Sequence, residues 1–476
     1  MKRVGIWISM GMAAAVGSCA SNDLPPEPDS YVAADAMGAE RAAELAASPA
    51  ATWLDDLNST EMSTLAREAL AASPELQIAE AQARAARWRA RGTAGSSLLP
   101  SLEAGADGTR TETPVAGTSE RIRTEVVSSQ VFASWEIDLW GRLAARTLAS
   151  DLGADAAESD LDAARLSVAG QASRAWVGLI EAQQLLTLAE EDLQTRERAL
   201  DLTQRRYEAG VATSLALRTA RSQVAAARGF EAQAQESLLS ASRRLQEIMG
   251  RYPDGALRAE GALPQLAPLA AAGAPSDLLE RRPDVLAAES RMRAAGFRMH
   301  EARAAMLPRL TLTATAFNPG TPGNSLDNVD DSINMISNLV AGLTMPIFQG
   351  GALLAESRAS VADRRAAASD YVRTSLAAWR EVEGAISSDQ SFATREEQFA
   401  IAASEALEAQ SLAEREYSRG VATLFELIDA YTRRIDAERN LITARAARVS
   451  NRIGYHVALG GGARTGGVEA SRGAAP

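Results

Sequence analysis

The chain has 476 residues, a formal net charge of −12 and an aromatic content of only 5%. An acidic balance argues against a general nucleic-acid binder, which normally carries a basic patch. Lys2 is the only lysine, Cys19 is the only cysteine, and His300 and His456 are the only histidines, so Walker-A, Schiff-base, CxxC and HExxH chemistry are excluded. An enzyme is therefore not expected, although a mechanism that uses carboxylates alone stays formally open.

The amino terminus has the pattern of an export signal. Two basic residues precede an apolar run from Val4 to Val16, which is followed by small residues and Cys19. This run is shorter than the ~20 residues that a membrane-spanning helix needs, and it resembles a bacterial lipobox, in which the cysteine is lipidated and becomes the first mature residue. We therefore predict a lipoprotein signal peptide at 1–18, a covalent lipid on Cys19, no other cofactor or metal, and a tether at 19–51. An ordinary signal peptide with a chance cysteine is the alternative.

The remainder of the chain contains two similar halves. The segment YEAGVAT at 207–213 recurs as YSRGVAT at 417–423. Three further matches precede this one, in the same order in both halves and at nearly the same offset. We therefore predict two structural repeats, at 52–260 and 261–460, and a disordered tail at 461–476. Each repeat is expected to contain a helix, a strand pair, a very long helix, a tip and a return helix.

Each repeat has one pair of segments in which apolar and polar residues alternate, at about 100–140 and about 308–348. In the second pair, for example, Leu310 and Leu312 flank Thr311. Such alternation is typical of a membrane barrel with lipid outside and water inside, while in a soluble sandwich it would separate core from solvent. The export signal, the duplication and the long helices favour the barrel. Four strands cannot close a barrel, which needs about eight, so two or three chains must combine to remove the open edges.

A proline-free run from Arg142 to Tyr207 separates the first strand pair from the first tip. As one helix it would extend about 100 Å. Small and apolar residues form a heptad seam along it, broken at Arg196, and the seam consists of Val168, Ala172, Ala175, Leu179, Ala182, Leu186, Ala189, Leu193, Leu200, Thr203 and Tyr207. The second repeat has a proline-free run of similar length, from Gly351 to Tyr417. We predict paired rods that form a tunnel wall, and an ordinary coiled coil is the alternative.

Three features resemble the TolC superfamily of outer-membrane efflux factors, and its OprM/NodT-type lipoprotein branch in particular. They are GAPSDLLERRPDVLAAESRMRAA at 273–295, SWEIDLWGRL at 134–143 and the paired tip motifs. The resemblance implies a mainly α fold with a membrane β-barrel, in which three chains form a 12-stranded β-barrel and a 12-helix α-barrel. It also implies a homotrimer that acts as a passive exit duct for small molecules in a tripartite efflux system of the resistance-nodulation-division type. Its partners would be a periplasmic adaptor and an inner-membrane pump, and it would not be an enzyme.

Two alternatives stay open at this point. Within the same superfamily, the chain could be a duct for type I protein secretion, although that branch usually lacks the lipobox. From a different class, a periplasmic adaptor or a coiled-coil envelope scaffold could also have an exported anchor and long helices. Adaptors typically have one hairpin and a lipoyl-like domain, without two lipid-compatible strand pairs.

The resemblance also assigns residues at the tips. The adaptor-docking turns would be Gly210, Val211, Ala212, Thr213, Gly420, Val421, Ala422 and Thr423, with glycine for a turn of unusual dihedral angles and threonine as a helix cap. The periplasmic gate would consist of Glu426, Asp429 and Tyr417, so that three copies gather six carboxylates and favour cations. Two solvated surface acids are the alternative. An acid and an arginine that latch some relatives are replaced by Ala216 and Ala422, so that latch is expected to be missing.

Overall fold

The computed structural model describes residues 53–117, 119, 121–266, 269, 280–318 and 336–461. The predicted signal peptide, Cys19, the predicted tether and nearly all of the predicted carboxy-terminal tail lie outside these residues. Within the described part, the chain is mainly helical and carries one four-stranded sheet.

The same order of elements occurs twice along the chain. The first repeat follows a 3₁₀ turn at Trp53–Leu57 and contains α1 (Thr60–Ala72), α2 (Pro74–Leu98), β1 (Ser101–Pro114), β2 (Arg121–Ile137), α3 (Arg142–Glu208) and α4 (Ser214–Ile248). The second repeat contains α5 (Pro283–Ala304), β3 (Arg309–Asn318), β4 (Ile336–Thr344), α6 (Ala352–Arg419) and α7 (Leu424–Ala458). In both repeats two strands precede a helix of 67 or 68 residues, and a return helix of 35 residues follows it.

The last strand is shorter than the sequence predicts. The predicted strand pair extends to about residue 348, but β4 ends at Thr344. Pro346 follows closely, and its nitrogen has no hydrogen to donate to a strand ladder, so pairing stops before it. Residues 333–335, where the alternation begins in the sequence, lie outside the described residues.

The strands pair antiparallel in the order β1-β2-β3-β4, and their register sorts side chains onto two chemically different faces. Directly opposed residues point to the same face of a sheet. One such row runs across all four strands and is entirely apolar, namely Leu102, Ala133, Ala314 and Leu339. A second row on this face joins Ile137, Leu310 and Leu343. One face of the sheet is therefore mostly apolar where all four strands pair. Toward the β1–β2 turn the same face is charged, because Arg110 and Glu112 lie opposite Glu125 and Arg123 there.

The opposite face is mostly polar. Thr313 lies between Ser134 and Val340, and Thr315 lies between Phe132 and Asn338. No residue of the four strands is buried, so no other described element of the chain covers either face. The interpretation as a soluble sandwich is wrong for this chain, because a sandwich would bury one face against a second sheet.

The helices form rods of about 100 Å, since 67 residues rise by 1.5 Å each. The predicted seam of α3 is confirmed from Val168 to Ala182, where its members are buried. Beyond Ala189 the seam is confirmed only in part, because Thr203 is fully buried but Tyr207 is 43% exposed, and Thr195, outside the seam, is also buried. The reason is a change of partners along the helix. The first part of α3 bonds to α2 and α5, and a later part bonds to α4 and α7. A heptad seam also drifts around an α-helix of 3.6 residues per turn.

The largest core lies midway along the rods. It packs α1 and the 3₁₀ turn against the middle of α3, the end of α4 and the end of α7, and its fully buried side chains include Met62, Trp176, Leu179, Leu245 and Ile453. The chain after α4 is held across this core by side chains that bond its backbone, because Gln183 both donates to and accepts from Ala259, at 3.0 and 2.7 Å. In the described part of the chain, no helix combines the length and the apolar character needed to cross a membrane.

Candidate functional site at the helical tips

The two tips have the same backbone turn. Gly210 and Gly420 adopt positive φ angles of 76° and 80°, a conformation that glycine adopts without steric cost. At the first tip the amide of Val211 donates to the carbonyl of Arg206 at 2.8 Å, and at the second tip Val421 donates to Glu416 at 3.0 Å. These bonds close a Schellman turn at each helix end. Both tips therefore stop a long helix and reverse the chain within a few residues.

A threonine caps each return helix. The Thr213 hydroxyl oxygen accepts from the amide of Ala216 at 3.2 Å, and the Thr423 hydroxyl oxygen accepts from the amide of Glu426 at 3.3 Å. At the second tip alone, the Glu426 carboxylate also accepts from the amide and the hydroxyl of Thr423, at 2.6 and 2.9 Å. This reciprocal pair is a capping box. Its Thr-x-x-Glu signature is visible in the sequence, but the sequence analysis missed it.

Apolar side chains project from both tips. Val211 and Leu215 are exposed at the first tip, and Val421 and Phe425 are exposed at equivalent positions of the second, with Val421 76% exposed. Exposed apolar groups concentrated at one place are typical of an interaction surface. We call these four residues the tip patch.

The two predicted gate acids have different partners. The backbone amide of Thr423, followed by its hydroxyl, lowers the pKa of Glu426. Asp429 forms an exposed ion pair with Arg433 one helical turn later, at 2.7 Å. Sequence spacing alone placed both carboxylates on one side of the helix. Within the chain, Glu426 already bonds to the residue that caps α7, and Asp429 already pairs with an arginine on α7. Their role as gate residues stays a prediction.

The third predicted gate residue, Tyr417, lies at a junction between the two repeats. It is only 3% exposed, and its hydroxyl lies 2.9 Å from the hydroxyl oxygen of Thr203 on α3. The guanidinium of Arg206 lies 4.7 Å from the centre of the tyrosine ring and also donates to the Tyr417 carbonyl. Neither Thr203 nor Arg206 was identified from the sequence as a functional residue. Ala216 and Ala422, which stand where the resemblance would place a latch, pack half-buried against the same cluster.

A layer of charged and polar groups lies behind this junction. Arg434 on α7 donates to Glu191 on α3 at 2.9 Å and to Glu438 at 2.8 Å. Arg196, which breaks the predicted seam, is buried and pairs with Asp192 at 2.9 Å. A buried arginine that has a carboxylate partner is far less costly than an unpaired one. The break in the seam is therefore a satisfied ion pair on the same helix.

Comparison with known proteins identifies the family. The profile of the outer membrane efflux protein family matches residues 65–251 and 274–461. The chain is 30% identical to outer membrane protein OprJ of Pseudomonas aeruginosa, over 95% of this chain and 94% of the relative. It is 29% identical to the pyoverdine export outer membrane protein OpmQ of Pseudomonas putida, over 88% of this chain and 90% of the relative.

Solved structures agree with the sequence comparison. The outer membrane protein VceC of Vibrio cholerae superposes with a TM-score of 0.75 at 26% identity, over 87% of this chain and 99% of that chain. The open state of the outer membrane channel MtrE of Neisseria gonorrhoeae superposes with a TM-score of 0.73 at 25% identity, over 84% and 89% of the two chains. The predicted resemblance is thereby confirmed, and the alternative of a periplasmic adaptor or scaffold is wrong. The chain belongs to the outer membrane efflux protein family and is located in the outer membrane.

Proposed function

We propose that three copies of this chain form a duct that carries small molecules through the outer membrane in a tripartite efflux system. The observation that carries this proposal is the four-stranded sheet. Where all four strands pair, it has one mostly apolar and one mostly polar face, and it continues directly into rods of about 100 Å. In a closed barrel the apolar face meets lipid and the polar face lines the water-filled interior.

The sheet supports assembly because β1 and β4 are each bonded to a strand on one side only. Unpaired backbone groups cost several kcal/mol each in lipid, so neighbouring copies must supply the missing partners. Two copies would give eight strands and three would give 12, and the family resemblance selects three. The proposed assembly is thus a trimer with a 12-stranded β-barrel and a 12-helix α-barrel.

The long helix α6 supports the same assembly. A series of large apolar side chains along it is exposed in the single chain, and the series consists of Leu354, Val372, Leu376, Ile386, Ile401 and Leu412. An apolar series of this length on a rod is suited to packing against another helix. In the proposed trimer, a neighbouring chain covers it.

The tip patch is the proposed docking surface for the periplasmic adaptor, together with the two turns Gly210–Thr213 and Gly420–Thr423. Its apolar residues occupy equivalent positions in the two repeats, so a trimer presents six similar tips in a ring. We therefore expect the hairpin tips of the adaptor to carry apolar positions that match this surface. An inner-membrane pump would supply the energy, because the described residues provide only passive surfaces.

Glu426, Asp429 and Tyr417 are the proposed gate residues. In a trimer, Glu426 and Asp429 place six carboxylates at the periplasmic end and favour cations there. Tyr417 fixes the second tip to α3 through Thr203 and Arg206, so the junction sets the position of the acids. A lipid on Cys19 is proposed as the anchor, with no other cofactor.

Sensitivity of a deletion strain to antibiotics, dyes and metal salts tests the proposed function. Deletion should sensitise cells to at least one such class, and the wild-type chain should restore resistance. The double variant Val211→Asp with Val421→Asp should reach the outer membrane but fail to restore resistance. Tyr252→Asp is the control, because Tyr252 is even more exposed than the two valines but lies far from the tips.

Two results would contradict this proposal. Full restoration by the tip variant would remove the tip patch from the docking surface. Loss of a secreted protein, without any change in sensitivity to small molecules, would favour a type I secretion duct instead.

A further inference from the structure

The first described turn of the chain is fastened to the end of the last helix by an aromatic stack. The rings of Trp53 and His456 are nearly parallel, at an interplanar angle of 13°, with centroids 5.5 Å apart. Trp53 is 2% exposed, and its buried indole N–H has no hydrogen-bond partner among the described residues. Stacking and apolar contact therefore hold this tryptophan, and His456 supplies the stacking ring.

The charged groups around His456 come from several elements. Asp56, on the same turn as Trp53, lies 4.0 Å from the Nδ1 atom of His456 and is the nearest carboxylate. Arg452, one turn earlier on α7, is buried and bonded to Asp389 of α6 at 3.2 Å. Tyr455 meets the imidazole edge-on.

Two further cations come from other elements, but each lies against a neighbour of His456 on α7. Arg174 of α3 approaches Gly454. Arg282, which caps α5, donates to the carbonyl of Ala458 and pairs with Glu381. The surroundings of the imidazole thus contain several arginines and one carboxylate within reach, that of the exposed Asp56. These surroundings favour the neutral form of the His456 imidazole over the protonated form.

We propose that the Trp53–His456 stack is an acid-sensitive clasp, which fastens the amino-terminal segment to α7 at neutral pH and loosens when His456 is protonated. The clasp is distinct from the tips and from the proposed docking surface. This proposal does not depend on the trimer or the cargo proposed above, because the clasp consists only of contacts within one chain.

The direction of the effect follows from the surroundings of the imidazole. Burial lowers the pKa of His456 most strongly, Asp56 raises it, and Arg452 lowers it further, with a net shift downward. The unfolded segment therefore binds more protons than the clasped one between the depressed pKa and the ordinary value of about 6.5. As pH falls through that window, the clasped state loses stability. Above the window its contribution is fully present.

The small number of histidines makes a direct measurement possible. With selectively labelled histidine, the mature protein in detergent should give two imidazole signals, which the variant His300→Gln assigns. We expect the His456 signal to titrate below about 6.5. Titration of that signal at or above this value would overturn the proposal.

Hydrogen exchange then tests whether the titration loosens the clasp. Amide exchange in residues 53–59, corrected for its intrinsic pH dependence, should rise severalfold between pH 7.5 and pH 5 in the wild type and in His300→Gln. The variant His456→Phe keeps an aromatic ring but cannot be protonated, so its corrected exchange should not change with pH. If that variant does not assemble, His456→Gln serves the same purpose with faster exchange at every pH. A pH response that survives in the phenylalanine or glutamine variant would overturn the proposal.

Discussion

The hydroxyl of Tyr417 donates a hydrogen bond to the hydroxyl oxygen of Thr203. The direction follows from the partners, because the single Thr203 proton is directed to the carbonyl of Ala199 at 2.7 Å, and the Tyr417–Thr203 distance is 2.9 Å. The bond joins the ends of two long helices that lie more than 200 residues apart in sequence. It makes the position of the second tip depend on the first repeat.

The direction of this bond predicts an unequal effect of two substitutions. Tyr417→Phe removes the donor but leaves Thr203 bonded to Ala199, so it should cost about 1 kcal/mol. Thr203→Val leaves the buried tyrosine hydroxyl without an acceptor and should cost more, on the order of 1–3 kcal/mol. The loss of stability in each variant is measured by hydrogen exchange of the amides in residues 417–431. An effect of Tyr417→Phe equal to or larger than that of Thr203→Val would reverse the donor assignment.

The capping box predicts a pH dependence at the second tip only. The pKa of Glu426 is depressed by its bonds to Thr423, so the cap is fully formed above the ordinary carboxyl range and is lost as pH falls through the depressed value. Glu426→Gln should remove this pH dependence while keeping the box, because glutamine can also accept from the backbone. Hydrogen exchange of the first-turn amides of α7, measured between pH 3 and pH 7, reports this pH dependence. The first tip, with Ala216 at the matching position, is the internal control, and an equal pH response there would contradict the assignment.

The proposed gate predicts a change in ion selectivity. The double variant Glu426→Ala with Asp429→Ala removes all six proposed carboxylates from a trimer, so the cation preference of the channel in a planar bilayer should fall. Glu236→Ala is the control, because this exposed acid lies on α4, about 30 Å from the tip. Unchanged selectivity of the double variant would remove both acids from the gate.

The two faces of the sheet predict opposite responses at adjacent positions. Leu339→Arg places a charge on the apolar face and should cost about 2–4 kcal/mol near the middle of the membrane. Asn338→Arg places the same charge on the polar face and should be tolerated. The measurement is the yield of assembled protein in outer-membrane fractions, which should be lower for Leu339→Arg than for Asn338→Arg. Equal yields would mean that the apolar face does not contact lipid.

Much of the fold could be predicted from sequence because the chain repeats itself and its strands alternate. The matched tip motifs predicted matched turns, and Gly210 and Gly420 indeed have nearly equal φ angles. Alternation predicted that Leu310 and Leu312 lie on one face of the strand and Thr311 on the other. Pairing of this strand with its neighbours extends those two faces across the sheet. Both signals are local, so a single sequence contains them.

The contacts between repeats could not be predicted in this way. Thr203 and Arg206 meet Tyr417 only because α3 and α6 end at the same level, and no residue pattern within one helix records that. The seam of α3 is only partly confirmed beyond Ala189 for a related reason, since the helix changes partners along its length. The capping box is a different case, because Thr423 and Glu426 carried the signal and only its interpretation was missed.

The central claim is that neighbouring copies complete an incomplete sheet, and the number of chains in the assembly tests it most directly. Native mass spectrometry of the mature protein, extracted from outer membranes in mild detergent, counts the chains. The account predicts three, since four strands from each chain then close a barrel of 12. A monomer recovered from the soluble periplasmic fraction, or an assembly of two chains, would contradict it.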